Sequence, residues 1–171
     1  MNIKVAYPIT ENYFYMAMVS IHSLMVNNQE HEIDLTLLLD ETINEECRKK
    51  FEYIKNYKNC NSIKTFDVDK SLYSKYNNDF GTLYAFELAN ILNCHKVLFV
   101  HPSCIINDDV SEVFQLELQN NSVAAAKHIQ ELDNTIIHKS AFRFANYLML
   151  LNLDLFRERN YYKILMFQRY P

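Results

Sequence analysis

Short apolar segments alternate with segments of helical periodicity along the chain, and this alternation constrains the fold more than any other feature of the sequence. Residues 3–6 and 33–39 are mainly apolar runs of strand length, with Lys4 in the first run and Asp34 and Thr36 in the second as the only polar interruptions. Residues 13–26, which lie between the two runs, place apolar side chains at helical spacing. Strands that alternate with helices predict an α/β fold with a mostly parallel sheet.

The alternation continues towards the carboxyl terminus. Helical patterns cover residues 45–57, with Thr42 or Asn44 as the cap, and residues 82–92. Strands are predicted at residues 62–68, 96–100 and 122–126, a short helix at 110–114, and a further apolar run at 145–151. Asp154 is predicted to cap a last helix that extends to Pro171. No linker rich in proline, glycine or serine interrupts the pattern, so we expect residues 1–171 to form a single domain.

Composition excludes several classes of ligand and partner. The formal net charge of −4 argues against nucleic acid, because phosphate binding needs a basic surface. Gly81 is the only glycine, which excludes the GxGxxG and P-loop motifs, so any nucleotide must be held in another way. Four cysteines and an amino terminus that opens directly into a strand favour the cytoplasm, and peripheral association with the inner face of the membrane is the alternative.

Three stretches of the sequence resemble family 8 glycosyltransferases, enzymes of the GT-A fold that take a sugar from a nucleotide diphosphate donor. Residues 3–28 share Asn12-Tyr13 and Ser23-Leu24 with the family. Residues 96–114 are similar to its central strand, metal motif and closing turn, and residues 148–158 to its apolar strand, Asn-Leu and following helix. The resemblance implies a GT-A (Rossmann-like) nucleotide-diphospho-sugar transferase fold, with a mostly parallel sheet flanked by helices. It also implies a hexose donor and a glycan acceptor.

The resemblance places the functional positions at the carboxyl ends of the strands, where ligands of such sheets bind. By resemblance, the donor-site positions are Pro8, Thr10, Asn12, Tyr84, Phe86, His101 and Ser103, and the acceptor-side positions are Ala145 and Tyr147. Several of these differ from the family pattern: Thr10 replaces a base-contacting aspartate, Phe86 replaces an arginine, and residues 145–147 replace Asn-x-Gly. Of the donor contacts, Asn12 is unchanged. The family's His-x-x-Gly-x-x-Lys has no counterpart in the 171 residues, so the chain resembles a truncated member.

The largest departure from the family lies at His101-Pro102-Ser103, which stands where the family has Asp-x-Asp. Two aspartates there hold a divalent metal that offsets charge on the leaving diphosphate. Because an imidazole and a hydroxyl replace both carboxylates, we expect no metal or other cofactor. Manganese or magnesium would bind only if other ligands restored the site, and Asp108 and Asp109 are weak candidates for that role.

Three functional hypotheses follow from these replacements. The first is a family 8 domain impaired in metal-dependent catalysis that remains as a binding or interaction subunit. The second is an active, metal-independent glycosyltransferase in which His101 or a basic group supplies the missing positive charge. The third is an interaction module that binds a protein partner, or a second copy of itself, through the aromatic helix after Asp154. For that helix, an ordinary core helix with basic edges is the alternative.

Other side chains are of the types found in metal or sugar sites. Cys94, His95, His101 and Cys104 are ligand types that zinc accepts, but a strand at residues 96–100 would hold Cys94 and His101 about 20 Å apart. His128 and His138 flank a polar stretch where the family places sugar contacts. We interpret both as solvated loop histidines and the zinc set as structural residues.

Overall fold

The computed structural model describes residues 1–73, 83–127 and 144–163. These residues contain a six-stranded sheet in the order β3-β2-β1-β4-β6-β5. The strands are β1 (Asn2–Ile9), β2 (Glu32–Asp40), β3 (Cys60–Val68), β4 (Lys96–Val100), β5 (Val123–Lys127) and β6 (Phe144–Asn152). Strands β3, β2, β1 and β4 run parallel, and β6 runs antiparallel to both β4 and β5. The mostly parallel sheet predicted from the alternation is therefore confirmed.

Five α-helices lie in the described residues, and short 3-10 helices accompany them. The α-helices are α1 (Phe14–Asn27), α2 (Glu45–Lys50), α3 (Leu88–Ile91), α4 (Ser111–Gln115) and α5 (Leu153–Glu158). The 3-10 helices are Glu11–Tyr13, Phe51–Asn56, Lys70–Tyr73 and Tyr84–Phe86. The helix predicted at residues 82–92 is present from Tyr84 as a 3-10 turn followed by α3, and Thr82 lies outside the described residues.

The cap predictions were half right. Asn44 caps α2, because its side chain accepts a hydrogen bond from the Cys47 N–H at 2.9 Å. Asp154 does not cap the last helix. The Asn152 side chain accepts from the Leu155 N–H at 3.1 Å, which makes Asn152 the cap and leaves Asp154 inside the first turn.

Two apolar clusters cover the sheet. Alternate residues of β2 divide between them, with Leu37 and Leu39 in the cluster that contains α1 and Leu38 in the cluster that contains α3 and α5. Strand β2 is thus buried on both faces, as its near-continuous apolar run predicted.

The order in which successive strands are added to the sheet reverses between β1 and β4. Strands β1, β2 and β3 follow each other outwards on one side of β1, and β4 pairs with its other side. The β1/β4 ladder pairs Val5 with Leu98 and Ala6 with Phe99, and it does not extend to Pro8, which has no N–H to donate. This arrangement is a topological switch point, the place where open α/β sheets bind ligands.

Candidate functional site

His101 follows β4 directly and lies almost fully buried at the switch point, with 4% of its surface exposed. Its ring contacts two tyrosines edge to face, Tyr13 at 5.0 Å and Tyr147 at 5.6 Å between ring centroids. The His101 N–H donates to the Tyr147 carbonyl at 2.7 Å, so the β4/β6 pairing fixes both residues. The structure therefore brings together residues that the sequence assigned to the donor side and to the acceptor side.

Ser103 is hydrogen bonded to the His101 ring. The Ser103 N–H donates to Nδ1 at 3.3 Å, and the Ser103 Oγ lies 2.7 Å from the same nitrogen. A main-chain N–H can only donate, so Nδ1 accepts from it, and a neutral ring with this contact carries its proton on Nε2. The Cys104 N–H closes the turn by donating to the His101 carbonyl at 2.9 Å. The hydroxyl and the main-chain N–H of Ser103 thus both contact Nδ1 of His101.

The loop after β1 forms the opposite side of the site. Thr10 precedes the 3-10 helix Glu11–Tyr13, and the Tyr13 N–H donates to the Thr10 carbonyl at 3.0 Å. This turn directs the Tyr13 ring towards His101 and leaves Asn12 exposed to solvent. The one unchanged donor position is therefore accessible.

Strand β2 supplies a hydrogen-bonded support for this loop. The Glu11 N–H donates to Thr42 Oγ1 at 3.0 Å. Both the main-chain N–H of Thr42, at 3.1 Å, and its hydroxyl donate to Asp40 Oδ1. Asp40 is fully buried at the end of β2. Sequence reasoning missed this support, although the acid that ends a buried leucine run in β2 was a signal that could have revealed it.

Pro8, Tyr84 and Phe86 lie within the packed layers. Pro8 is buried in register with Leu38. Tyr84 is fully buried, and its pKa is raised by that burial and by the nearby charges of Asp40 and Glu41. The Phe86 ring contacts Phe156 at 5.7 Å between centroids. The side chain of Ala145 lies outside the described part of the chain.

The remaining candidate ligands have structural partners. Asp109 accepts from the Ser111 N–H at 2.7 Å and lies 3.0 Å from His31 Nε2. These contacts lower the pKa of Asp109, with the Ser111 N–H as the largest cause. His95, which precedes β4 at the end opposite His101, is hydrogen bonded to Asp154. In the described ranges, no group of three or more His, Cys, Asp and Glu could hold a metal ion, and His128 and His138 lie outside them.

Comparison with protein families decides the ancestry. Residues 4–168 match the model of glycosyl transferase family 8. The chain belongs to this family. A search of curated protein sequences finds no significant relative.

Solved structures of glycosyltransferases share the fold of this family 8 chain. LgtC, a galactosyltransferase solved in complex with donor and acceptor sugar analogs, is similar with a TM-score of 0.79 and 19% identity, over 95% of this chain and 62% of LgtC. GlyE of Streptococcus pneumoniae TIGR4 has a TM-score of 0.67 and 17% identity, over 96% of this chain and 37% of GlyE. Mouse xyloside xylosyltransferase 1 has a TM-score of 0.64 and 13% identity, over 97% of this chain and 72% of that one. The GT-A fold is confirmed, and the chain spans about three fifths of the length of LgtC.

The described residues at the motif do not fit the dication of the family. Magnesium and manganese prefer charged oxygen ligands. The Nδ1 atom of His101 already accepts a hydrogen bond from the Ser103 N–H. Ser103 offers a neutral hydroxyl, which lies against the same Nδ1 atom. The expectation that no metal binds here rests on this chemistry and stays a prediction.

Membrane-spanning segments and the last helix were both considered in the sequence. No helix in the ranges that the structure describes has the length and apolar character needed to span a bilayer. Phe156 is buried and contacts the Tyr161 ring at 5.1 Å. The last helix was predicted too long, because α5 ends at Glu158 and a turn follows. The contact of Phe156 with Tyr161 favours the core interpretation for this part, and residues 164–171 lie outside the described part.

Proposed function

We propose that this family 8 domain binds a nucleotide sugar without a divalent metal and does not catalyse metal-dependent sugar transfer. The observation that carries the proposal is the hydrogen-bonded pair of His101 and Ser103 at the Asp-x-Asp positions. An ionised Asp-x-Asp pair supplies two negative charges that attract a dication. Neither Ser103 nor His101 has a carboxylate, so neither side chain supplies a negative charge. The charge that normally offsets the leaving diphosphate is therefore lost.

The packing around His101 supports the same conclusion. Tyr13 and Tyr147 contact two sides of the ring, and the ring is almost completely buried. A metal ion and its bound waters would need polar space next to this side chain, because hard dications keep several oxygen ligands. At His101, two of the neighbouring groups are instead aromatic rings, which offer such an ion no oxygen ligand of their own at the contact.

Retained binding is supported by the opposite side of the site. Asn12 keeps the family's residue type, is exposed and stands in the first turn after β1 at the switch point. The fold that presents it matches LgtC, whose structure contains donor and acceptor sugar analogs. Sugar hydroxyls and a pyrimidine base can be recognised through hydrogen bonds that need no metal.

Calorimetric titration of the full chain with UDP, in manganese and in EDTA, tests this proposal. We expect the same dissociation constant in both buffers and no manganese-dependent release of sugar from nucleotide-sugar donors. A manganese-induced gain in UDP affinity of tenfold or more, or manganese-dependent turnover, would refute it. Absence of UDP binding in both buffers would refute the binding half, and turnover in EDTA would favour the metal-independent enzyme instead.

A gain-of-function variant makes the test sharper. His101→Asp with Ser103→Asp restores the family motif, so manganese is expected to strengthen UDP binding in this variant. The matched control is Asn120→Asp with Asn121→Asp, which adds two carboxylates at an exposed turn. An equal manganese response in both variants would indicate a general charge effect.

A further inference from the structure

The backbone of the loop that carries Asn12 depends on a partner from the turn that follows β2. The first N–H groups of a helix have no partner within it, and a side chain at the cap position usually supplies one. Thr10 stands at that position before the 3-10 helix Glu11–Tyr13, but its side chain makes no cap hydrogen bond. The Glu11 N–H instead donates to Thr42 Oγ1, which lies 31 residues later in the chain.

Hydrogen-bond directions along this connection are fixed by chemistry. The Glu11 N–H can only donate, and the Asp40 carboxylate can only accept. The single proton of the Thr42 hydroxyl therefore points at Asp40 Oδ1, and an oxygen lone pair points at Glu11. A hydroxyl that donates to a carboxylate is polarised and becomes a better acceptor. The Thr42 N–H donates to the same Oδ1 at 3.1 Å and fixes the side chain that carries the hydroxyl.

The connection starts from a rigid point. Asp40 ends β2, which is hydrogen bonded to β1 on one side and to β3 on the other. Its side chain is fully buried, and its carbonyl accepts from the Ile43 N–H at 3.2 Å. At the other end, the turn that contains Glu11 orients both the exposed Asn12 and the Tyr13 ring that contacts His101.

We propose that Asp40 and Thr42 are positioning residues for the nucleotide site, because they hold the Glu11 main chain and thereby present Asn12 to the ligand. The inference rests on the proposed binding of a nucleotide sugar at this edge of the sheet. It assigns a role in binding to two residues that the family resemblance did not include.

Three variants of the full chain test the assignment. Thr42→Val keeps the shape of the side chain and removes its hydroxyl, and Thr42→Ser keeps the hydroxyl. Thr65→Val makes the same chemical change on the exposed edge strand β3. Two quantities are measured for each: hydrogen exchange of the Glu11 amide by NMR, and the dissociation constant for UDP by calorimetry in EDTA.

We expect Thr42→Val to accelerate Glu11 exchange and to weaken UDP binding, each about tenfold, the factor that loss of one hydrogen bond can produce. Thr42→Ser and Thr65→Val should match the wild type in both measurements. Unchanged Glu11 exchange in Thr42→Val would overturn the assignment. So would faster exchange with unchanged UDP affinity, because the bond would then be structural only.

The two proposals fail in different ways. Wild-type protein that binds no UDP would overturn the binding proposal, and the positioning role would fall with it. If the wild type binds UDP and Thr42→Val binds it with the same affinity, the positioning role alone is overturned. If Thr42→Val does not fold, Asp40→Asn tests the same connection. The amide still offers an acceptor oxygen but lacks the charge, so weaker UDP binding than wild type is expected and unchanged binding would overturn the role.

Discussion

Two neighbouring buried tyrosines differ in one respect, and that difference predicts opposite effects of the same substitution. The rings of Tyr73 and Tyr84 lie 5.3 Å apart between centroids, and both side chains are fully buried. The Tyr73 hydroxyl donates to Glu87 Oε1 at 2.5 Å. Within the described part of the chain, the Tyr84 hydroxyl has no hydrogen-bond partner.

The magnitudes follow from the cost of burying a hydroxyl. A buried polar group without a partner costs about 1–3 kcal/mol, so Tyr84→Phe should raise the free energy of unfolding by about 1 kcal/mol after allowance for the small void it leaves. Tyr73→Phe removes a hydrogen bond to a charged group and should lower the free energy of unfolding by about 1.5–3 kcal/mol. For a chain of this length, 1 kcal/mol corresponds to about 2–4 °C in Tm.

Thermal and urea unfolding followed by circular dichroism measure both variants against the wild type. The expected result is a higher Tm for Tyr84→Phe and a lower Tm for Tyr73→Phe, and each variant is the matched control of the other. A Tm for Tyr84→Phe below that of the wild type would refute the reasoning. It would show that the Tyr84 hydroxyl has a partner in solution, such as a bound water molecule.

Three further predictions concern stability. Asn152→Ala removes the cap of α5 and should cost about 1 kcal/mol in urea unfolding, whereas Asn120→Ala at an exposed turn should cost nothing measurable. Leu98→Ala in the fully buried centre of β4 should cost about 2–5 kcal/mol, and Leu72→Ala, which is 41% exposed, much less. Hydrogen bonds from His95, and then from Arg157, lower the pKa of Asp154 from 3.8, so its contribution is complete above that value and is lost as pH falls through the lower folded-state pKa. Asp154→Asn should therefore lose less stability than the wild type between pH 5 and pH 2, and equal losses would contradict the assignment.

The sequence predicted the strands of the sheet well, because periodicity and burial are local signals. Residues 96–100 form a strand with the predicted bounds, and residues 33–39 form the centre of β2. The helix predicted at residues 45–57 shows where local signals stop. It changes to a 3-10 helix after Lys50. The buried pair Phe51 and Ile54 is spaced by three residues, which suits both helix types, so the local pattern could not predict the change.

The end of β6 explains why the cap of α5 was predicted wrongly. Asn152 and Asp154 are both good capping residues, and the choice between them depends on where the preceding strand stops. That point is set by pairing with β4, where Asn152 lies opposite Lys96. Contacts between residues 56 positions apart are not visible in a local pattern.

In the site, too, the sequence indicated which residues are present but not which of them contact each other. The family resemblance placed His101 and Ser103 at the metal-motif positions, but it did not predict that the Tyr13 and Tyr147 rings both contact the His101 ring. Tyr13 reaches the ring through the turn after β1, and Tyr147 through the antiparallel pairing of β6 with β4. The support by Asp40 and Thr42 also joins separate strands, and only the folded sheet brings them to the loop.

Burial of His101 connects the altered motif with the proposed loss of metal binding. A carboxylate at this position would be almost fully buried between two tyrosine rings, and a buried charge without a partner costs several kcal/mol. A dication supplies that partner in a working Asp-x-Asp site. Without a dication, the His101 imidazole avoids the buried negative charge that an aspartate would bring, and its Nδ1 still accepts from the Ser103 N–H. Replacement of the acid and the proposed loss of metal binding would therefore favour each other.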